Sequence, residues 1–249
     1  MSTVQPVRAS FRVLRNNRRL LVFPLLGGAA AALVAGVLAV PALLRGWAEP
    51  SPSASAVAAV AVGYLLAGFV FTLCGAAMVC AVDDVLRGEP VRVGVNCRRA
   101  LRHWRRLLAW SLLNTTVLVL VRQLERVPVI GWFMDELFST GWAVATYLAL
   151  PAMMIDGLGI AEGTRRSARM LRETFSRQVY GSVWIAVPLV LSVVVGFVAF
   201  MLGAESNSAG LAAAGGVLAA LLLVCTLLVG ATVSGIFRTV LYRDASAVA

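Results

Sequence analysis

Six long apolar stretches alternate with short polar segments along the chain: Leu20–Leu44, Ala56–Val82, Leu107–Val121, Leu137–Ile155, Val179–Leu202 and Leu211–Val240. A helix rises about 1.5 Å per residue, so crossing about 30 Å of hydrocarbon takes about 20 residues. Five stretches qualify as they stand. The third reaches that length by recruiting Trp104 at one end and Arg122–Val127 at the other, with long side chains snorkelling to the interface. The pattern predicts an all-α membrane protein, a single six-transmembrane-helix bundle spanning about 20–44, 56–82, 107–127, 137–155, 179–202 and 211–240. The segments between the stretches are too short for a soluble domain with its own core.

The arginines orient this bundle. All 22 basic residues are Arg, and all but Arg45, Arg122 and Arg126 fall in the N-terminus, two alternate loops and the C-terminal end. Cationic side chains resist translocation, so the bias predicts a multi-pass protein of the cytoplasmic membrane with both termini inside. The first stretch follows basic residues, as in a signal peptide. At 25 residues it exceeds the roughly 7–15 of a signal core, and it reads as a retained span. A composition of 60% hydrophobic and 14% charged residues excludes an ordinary soluble domain. The net charge of +10 sits beside the spans, which points to anionic lipid and not to nucleic acid.

The same arginines also show helical spacing before each odd-numbered span. Arg12, Arg15 and Arg19 stand at i, i+3, i+7; Arg98, Arg102 and Arg105 at i, i+4, i+7; Arg165, Arg169 and Arg172 likewise. Residues so spaced share one helix face. The chain therefore reads as three units, each an amphipathic basic interfacial helix on the cytoplasmic side followed by a helical hairpin. The nine arginines are candidate ligands for lipid headgroups, because guanidinium pairs well with phosphate. Topology alone accounts for their presence but not for the repeated spacing.

Small residues recur every four positions at Gly28, Ala32 and Gly36, at Ala212, Gly216 and Ala220, and at Ala231 and Gly235. Such faces let helices approach closely in lipid; the sequence leaves open whether they serve this bundle, a second copy or a membrane-protein partner. Pro24, Pro41, Pro151 and Pro188 lie in or at the ends of spans, where they cap or kink helices. Asn114, Thr115 and Thr116 form one mid-span polar cluster, suited to helix–helix hydrogen bonds or to a bound lipid or small molecule. Cys74, Cys80, Cys97 and Cys225 lack a C-x-x-C pairing and read as small apolar residues.

Reactive constellations are sparse. Asp83 and Asp84 invite a metal at the membrane surface, but no spaced carboxylates accompany them, and the turn-forming Gly88–Pro90 suggests a polar helix end. His103, the single histidine, has no evident nucleophile or carboxylate partner. Asp156 and Glu162 lie close in sequence to Arg165, Arg166 and Arg169, an arrangement that predicts an ion-pair lock. No ionisable side chain sits at the centre of a span, which argues against a proton-driven pump or an ion channel. No catalytic residue, metal site or cofactor is expected.

Three segments resemble a known group: Phe11–Leu26, Gly141–Phe175 and Gly235–Ala245. They look like uncharacterised bacterial and archaeal six-span membrane proteins, similar to the membrane domain attached to some glycerophosphodiester phosphodiesterases. The most specific marks are Trp142, Thr146 and Pro151, the run Gly157–Ser167, and Phe237, Arg238, Leu241 and Tyr242. The resemblance implies a fold and a membrane location. It implies no activity, because the phosphodiesterase chemistry belongs to a separate soluble domain.

The functional expectation is a non-enzymatic scaffold or accessory subunit that binds anionic lipid and a membrane-protein partner or a second copy of itself. The alternative is a carrier or permease for a lipid-like or small amphipathic solute, which requires a cavity at Asn114–Thr116. A lipid-modifying enzyme with metal at Asp83 and Asp84 stands third.

Overall fold

The structure, a computed structural model, describes residues 5–48, 54–124, 142, 146–205 and 209–248. Among these the chain is almost entirely helical, with no strand. The helices are α1 (Gln5–Asn16), α2 (Val22–Ala48), α3 (Ala54–Leu86), α4 (Val93–Leu101), α5 (Trp104–Leu124), α6 (Ala149–Ile155), α7 (Ile160–Glu205) and α8 (Ala209–Val248), with a 3₁₀ turn at Arg18–Leu21 before α2.

Two long helical hairpins, α2–α3 and α7–α8, dominate the fold, and α3 is the hub that also touches α4, α5, α6 and α8. Close backbone approach holds the hairpins together. A Cβ on Gly27 would lie 2.9 Å from Cys74 Cβ, and one on Gly196 would lie 3.2 Å from Ala219 Cα. The sequence stripe Gly28–Ala32–Gly36 does not make the first of these contacts. All three residues are exposed, and a Cβ on Gly28 or Gly36 would meet nothing within 4 Å. Its neighbour Gly27, one helix position round, faces α3. Gly235 does sit against a partner, the Met78 side chain of α3, while Gly216 lies near Phe200.

The buried core gathers at the arginine-rich end of the hairpins. Leu20 and Phe23 at the start of α2, Ala76–Val82 near the end of α3, Leu107 of α5, and Ile236 and Val240 of α8 form its main cluster. A second cluster joins Leu148, Ala152 and Met170 to Phe237, Leu241 and Tyr242. Alanines at 76, 77 and 81 supply the thin face that lets α3 be surrounded on several sides.

Two helices, over Ala58–Leu86 and Ala213–Ser246, are long and apolar enough to cross a membrane. A third arises if Ser10–Asn16 and Arg18–Val34, bent by 98° at Asn17, are taken together. α5 starts at Trp104. Residues 125–127 and, in the fourth stretch, residues 137–141 and 143–145 lie outside the described residues. Pro24 and Pro151 occupy the first turns of α2 and α6, where a missing N–H costs no helical hydrogen bond.

The three basic segments differ in how they join the adjoining apolar helix. Asn17 separates α1 from α2, and the turn at Arg102 and His103 separates α4 from α5. The third segment is not a separate helix: α7 runs unbroken for 46 residues from Ile160 into the fifth apolar stretch. Gly163 is tolerated near its start because α6 packs there, with Met153 Cγ 3.3 Å from where a Cβ would stand.

Candidate functional site

The arginine-rich end carries three arrangements of charged and polar side chains. The first clamps α3. Its helix closes in a Schellman motif: the Glu89 N–H donates to Asp84 O at 2.8 Å, the Gly88 N–H donates to Val85 O, and Gly88 takes φ +82°. Asp83 and Asp84, on the last full turn, are both buried. Asp83 pairs with Arg87 at 2.9 Å and accepts from Arg243 Nε at 2.7 Å; Arg243 Nη2 also reaches it. Asp84 accepts from Arg99 Nη1 at 3.0 Å, which raises the Arg99 guanidinium above its ordinary value. Each carboxylate is thus matched by guanidinium, and together they tie α3 to α4 and α8.

A second clamp closes the turn between α6 and α7 onto α8. The Tyr242 hydroxyl donates to Asp156, and Arg166 lies 3.4 Å from the same carboxylate and 6.0 Å from the Tyr242 ring. Gly157, at φ +68°, turns the chain so that its carbonyl accepts from Arg106 Nη1 at 2.8 Å. Buried Ser167 accepts the Leu148 N–H at 3.0 Å. Of the expected lock, Asp156 and Arg166 take part. Glu162 is exposed and makes no ion pair among the described residues.

The third arrangement is open. On the outer face of α4, Gly94, Val95, Arg98, Arg99 and Arg102 line a groove of about 560 Å³. Arg99 is held by Asp84, whereas Arg98 and Arg102 are exposed and have no carboxylate partner among the described residues. The predicted third member, Arg105, is not in this groove; it stacks on Trp104 at 5.6 Å from the ring centroid. Arg12, Arg15, Arg19, Arg165 and Arg169 are all exposed. The Arg172 side chain lies outside the described residues.

Inward of the clamps lies a cavity of about 480 Å³ between α2, α3, α5, α6 and α8. The three predicted mid-span polar residues separate here. Asn114 lines the cavity and accepts the Trp142 Nε1–H at 3.0 Å. Thr115 turns to α3, its hydroxyl 3.8 Å from where a Cβ on Gly68 would stand, and Thr116 is exposed. Adjacent helix positions point about 100° apart, so a consecutive run of three cannot line one wall.

Arg238 also lines the cavity, with its guanidinium 4.4 Å from the centroid of the Tyr147 ring. The polar-residue pattern did not single out Arg238, Tyr147, Trp110 or Ser234, because each stands alone in an apolar context. The resemblance marks came closer: Thr146, Pro151 and Arg238 line the cavity, Trp142 holds Asn114, and Tyr242 and Ser167 close the clamp beside it.

Compared with known families, the chain matches a family described as a family of unknown function (DUF6159) over residues 54–248. The protein belongs to that family. No curated protein and no solved structure matches it.

Proposed function

We propose that this is a non-enzymatic membrane protein whose arginine-rich face binds anionic lipid headgroups, acting as a scaffold or accessory subunit. The observation that carries this reading is the α4 groove, where Arg98 and Arg102 are exposed without a carboxylate partner among the described residues. The arginines that serve structure are matched by Asp83, Asp84 and Asp156. Unmatched guanidinium beside an apolar bundle has lipid phosphate as its nearest anion. The six-span topology, the cytoplasmic membrane with both termini inside, and the likeness to the membrane domain of some glycerophosphodiester phosphodiesterases belong to the same proposal. A membrane-protein partner or self-association would use the exposed small-residue face at Gly28 and Gly36.

The test is the double variant Arg98→Gln/Arg102→Gln, extracted gently from native membranes and analysed by mass spectrometry. Anionic lipid that co-purifies with the parent protein falls several-fold in the variant; unchanged lipid content would sink the reading. The same experiment identifies any stoichiometric protein partner.

One observation favours the alternative, a carrier for a lipid-like or small amphipathic solute: Asn114 lines a cavity among the span-forming helices. Flux of an amphipathic solute into vesicles holding the purified protein tests it.

A further inference from the structure

We infer that the cavity beside Arg238 is a binding site for a single-chain anionic amphiphile, of the class of a long-chain fatty acid, with its anionic group on the Arg238 guanidinium. The inference rests on the cavity of the carrier reading, and it concerns binding, not movement across a membrane.

The volume of about 480 Å³ falls within the roughly 300–1,000 Å³ of small-molecule sites. Much of the wall is apolar: Pro24 and Gly27 of α2, Phe71, Gly75 and Met78 of α3, and Leu150 of α6. The polar groups in the wall are largely spent within the protein. Thr72 donates to Gly68 O at 2.8 Å, Thr146 donates to Trp142 O at 2.7 Å, and Asn114 Oδ1 accepts from Trp142.

What remains is one cation. Arg87, Arg99, Arg166 and Arg243 all pair with carboxylates, whereas Arg238 has no carboxylate within ion-pair distance among the described residues. It is held by the Tyr147 ring, which braces the guanidinium without neutralising it. Along α8 the lining runs from Ala231 to Arg238, about 10 Å at 1.5 Å per residue. The apolar chamber therefore extends inward from a single unmatched charge. That length takes the anionic group and the first part of one alkyl chain, the rest of a long chain leaving through the open side of the cavity; a two-chain lipid needs a wider chamber.

The probe is a spin-labelled long-chain fatty acid, compared with its methyl ester on the full-length protein in detergent. The acid binds more tightly than the ester by about tenfold or more, and Arg238→Gln removes that difference while Arg238→Lys keeps most of it. Ala231→Phe, which narrows the chamber, weakens binding of both probes. Should that variant misfold, the Gln and Lys pair still decides. Equal affinity of the parent for acid and ester would overturn the inference. So would an unaltered Arg238→Gln, or displacement of the acid by a two-chain anionic phospholipid at equal affinity. The arms separate it from the other readings. Arg98→Gln/Arg102→Gln leaves fatty-acid binding intact, and binding without vesicle flux retires the carrier reading alone.

Discussion

The two halves of α8 belong to one continuous helix and live in opposite surroundings. From Val217 to Val229 most of its large side chains stand 40–60% exposed, and the matching stretch of α7, with Phe197 at 61%, is equally bare. From Thr232 to Tyr242 nearly every side chain except Arg238 is buried or half-buried, packed on α3, α6 and the start of α2. α3 repeats the division, with Tyr64 and Leu66 exposed and Ala76–Asp84 buried. An apolar surface of that extent requires lipid or another protein against it. The lesson is that cohesion within this chain comes from one end, where small residues, aromatic side chains and matched charges coincide. The apolar arms contribute length and outer surface.

Truncating one ring in each region gives the largest contrast. Phe237→Ala removes a fully buried side chain from the second core cluster and costs about 3–5 kcal/mol. Phe197→Ala, on the bare arm, costs less than about 0.5 kcal/mol. Thermal unfolding in one detergent checks both, and equal shifts would erase the division between the regions.

The carboxylate clamp comes next. Asp83 is 5% exposed and Arg243 is half-buried, so Arg243→Gln leaves a buried carboxylate with only the exposed Arg87 as its ion-pair partner. The cost lies between the exposed and buried limits for ion pairs, about 2–3 kcal/mol. The double replacement Asp83→Leu/Arg243→Met recovers part of that loss, because it leaves no carboxylate at position 83 to be unpaired. A double variant worse than the sum of its single changes would show that the pair does more than neutralise charge.

The smallest effect separates two adjacent glycines. Gly27→Ala drives a methyl against Cys74 Cβ, an atom that cannot rotate away, and costs about 1–3 kcal/mol. Gly28→Ala meets open space and gains about 0.5 kcal/mol from helix propensity. Opposite signs in the two melting shifts support the register described for α2 on α3. A destabilising Gly28→Ala would place a partner on the outer face instead.

The sequence by itself determined several features. The class followed from apolar runs too long for soluble helices, and the turn at Gly88 from a glycine placed just past a polar helix end. The basic segments do hold two separate helices, α1 and α4, but their i, i+3/4, i+7 triplets do not share one helix face, because Arg19 falls past the bend at Asn17 and Arg102 and Arg105 fall past the end of α4. These features are local: each depends on residues within a few turns of one another, where the 3.6-residue period fixes what shares a face.

Only the tertiary structure decided which of two neighbouring small residues makes a contact, or which arginines find carboxylates. Arg243 meets Asp83 across 160 positions, and Tyr242 meets Asp156 across 86. The cavity likewise draws its wall from five helices, and the sequence could not show that Arg238 lacks a carboxylate where other guanidiniums are matched. Periodicity says which side of a helix a residue occupies. It cannot say what stands opposite, because that depends on how separate helices are set against one another.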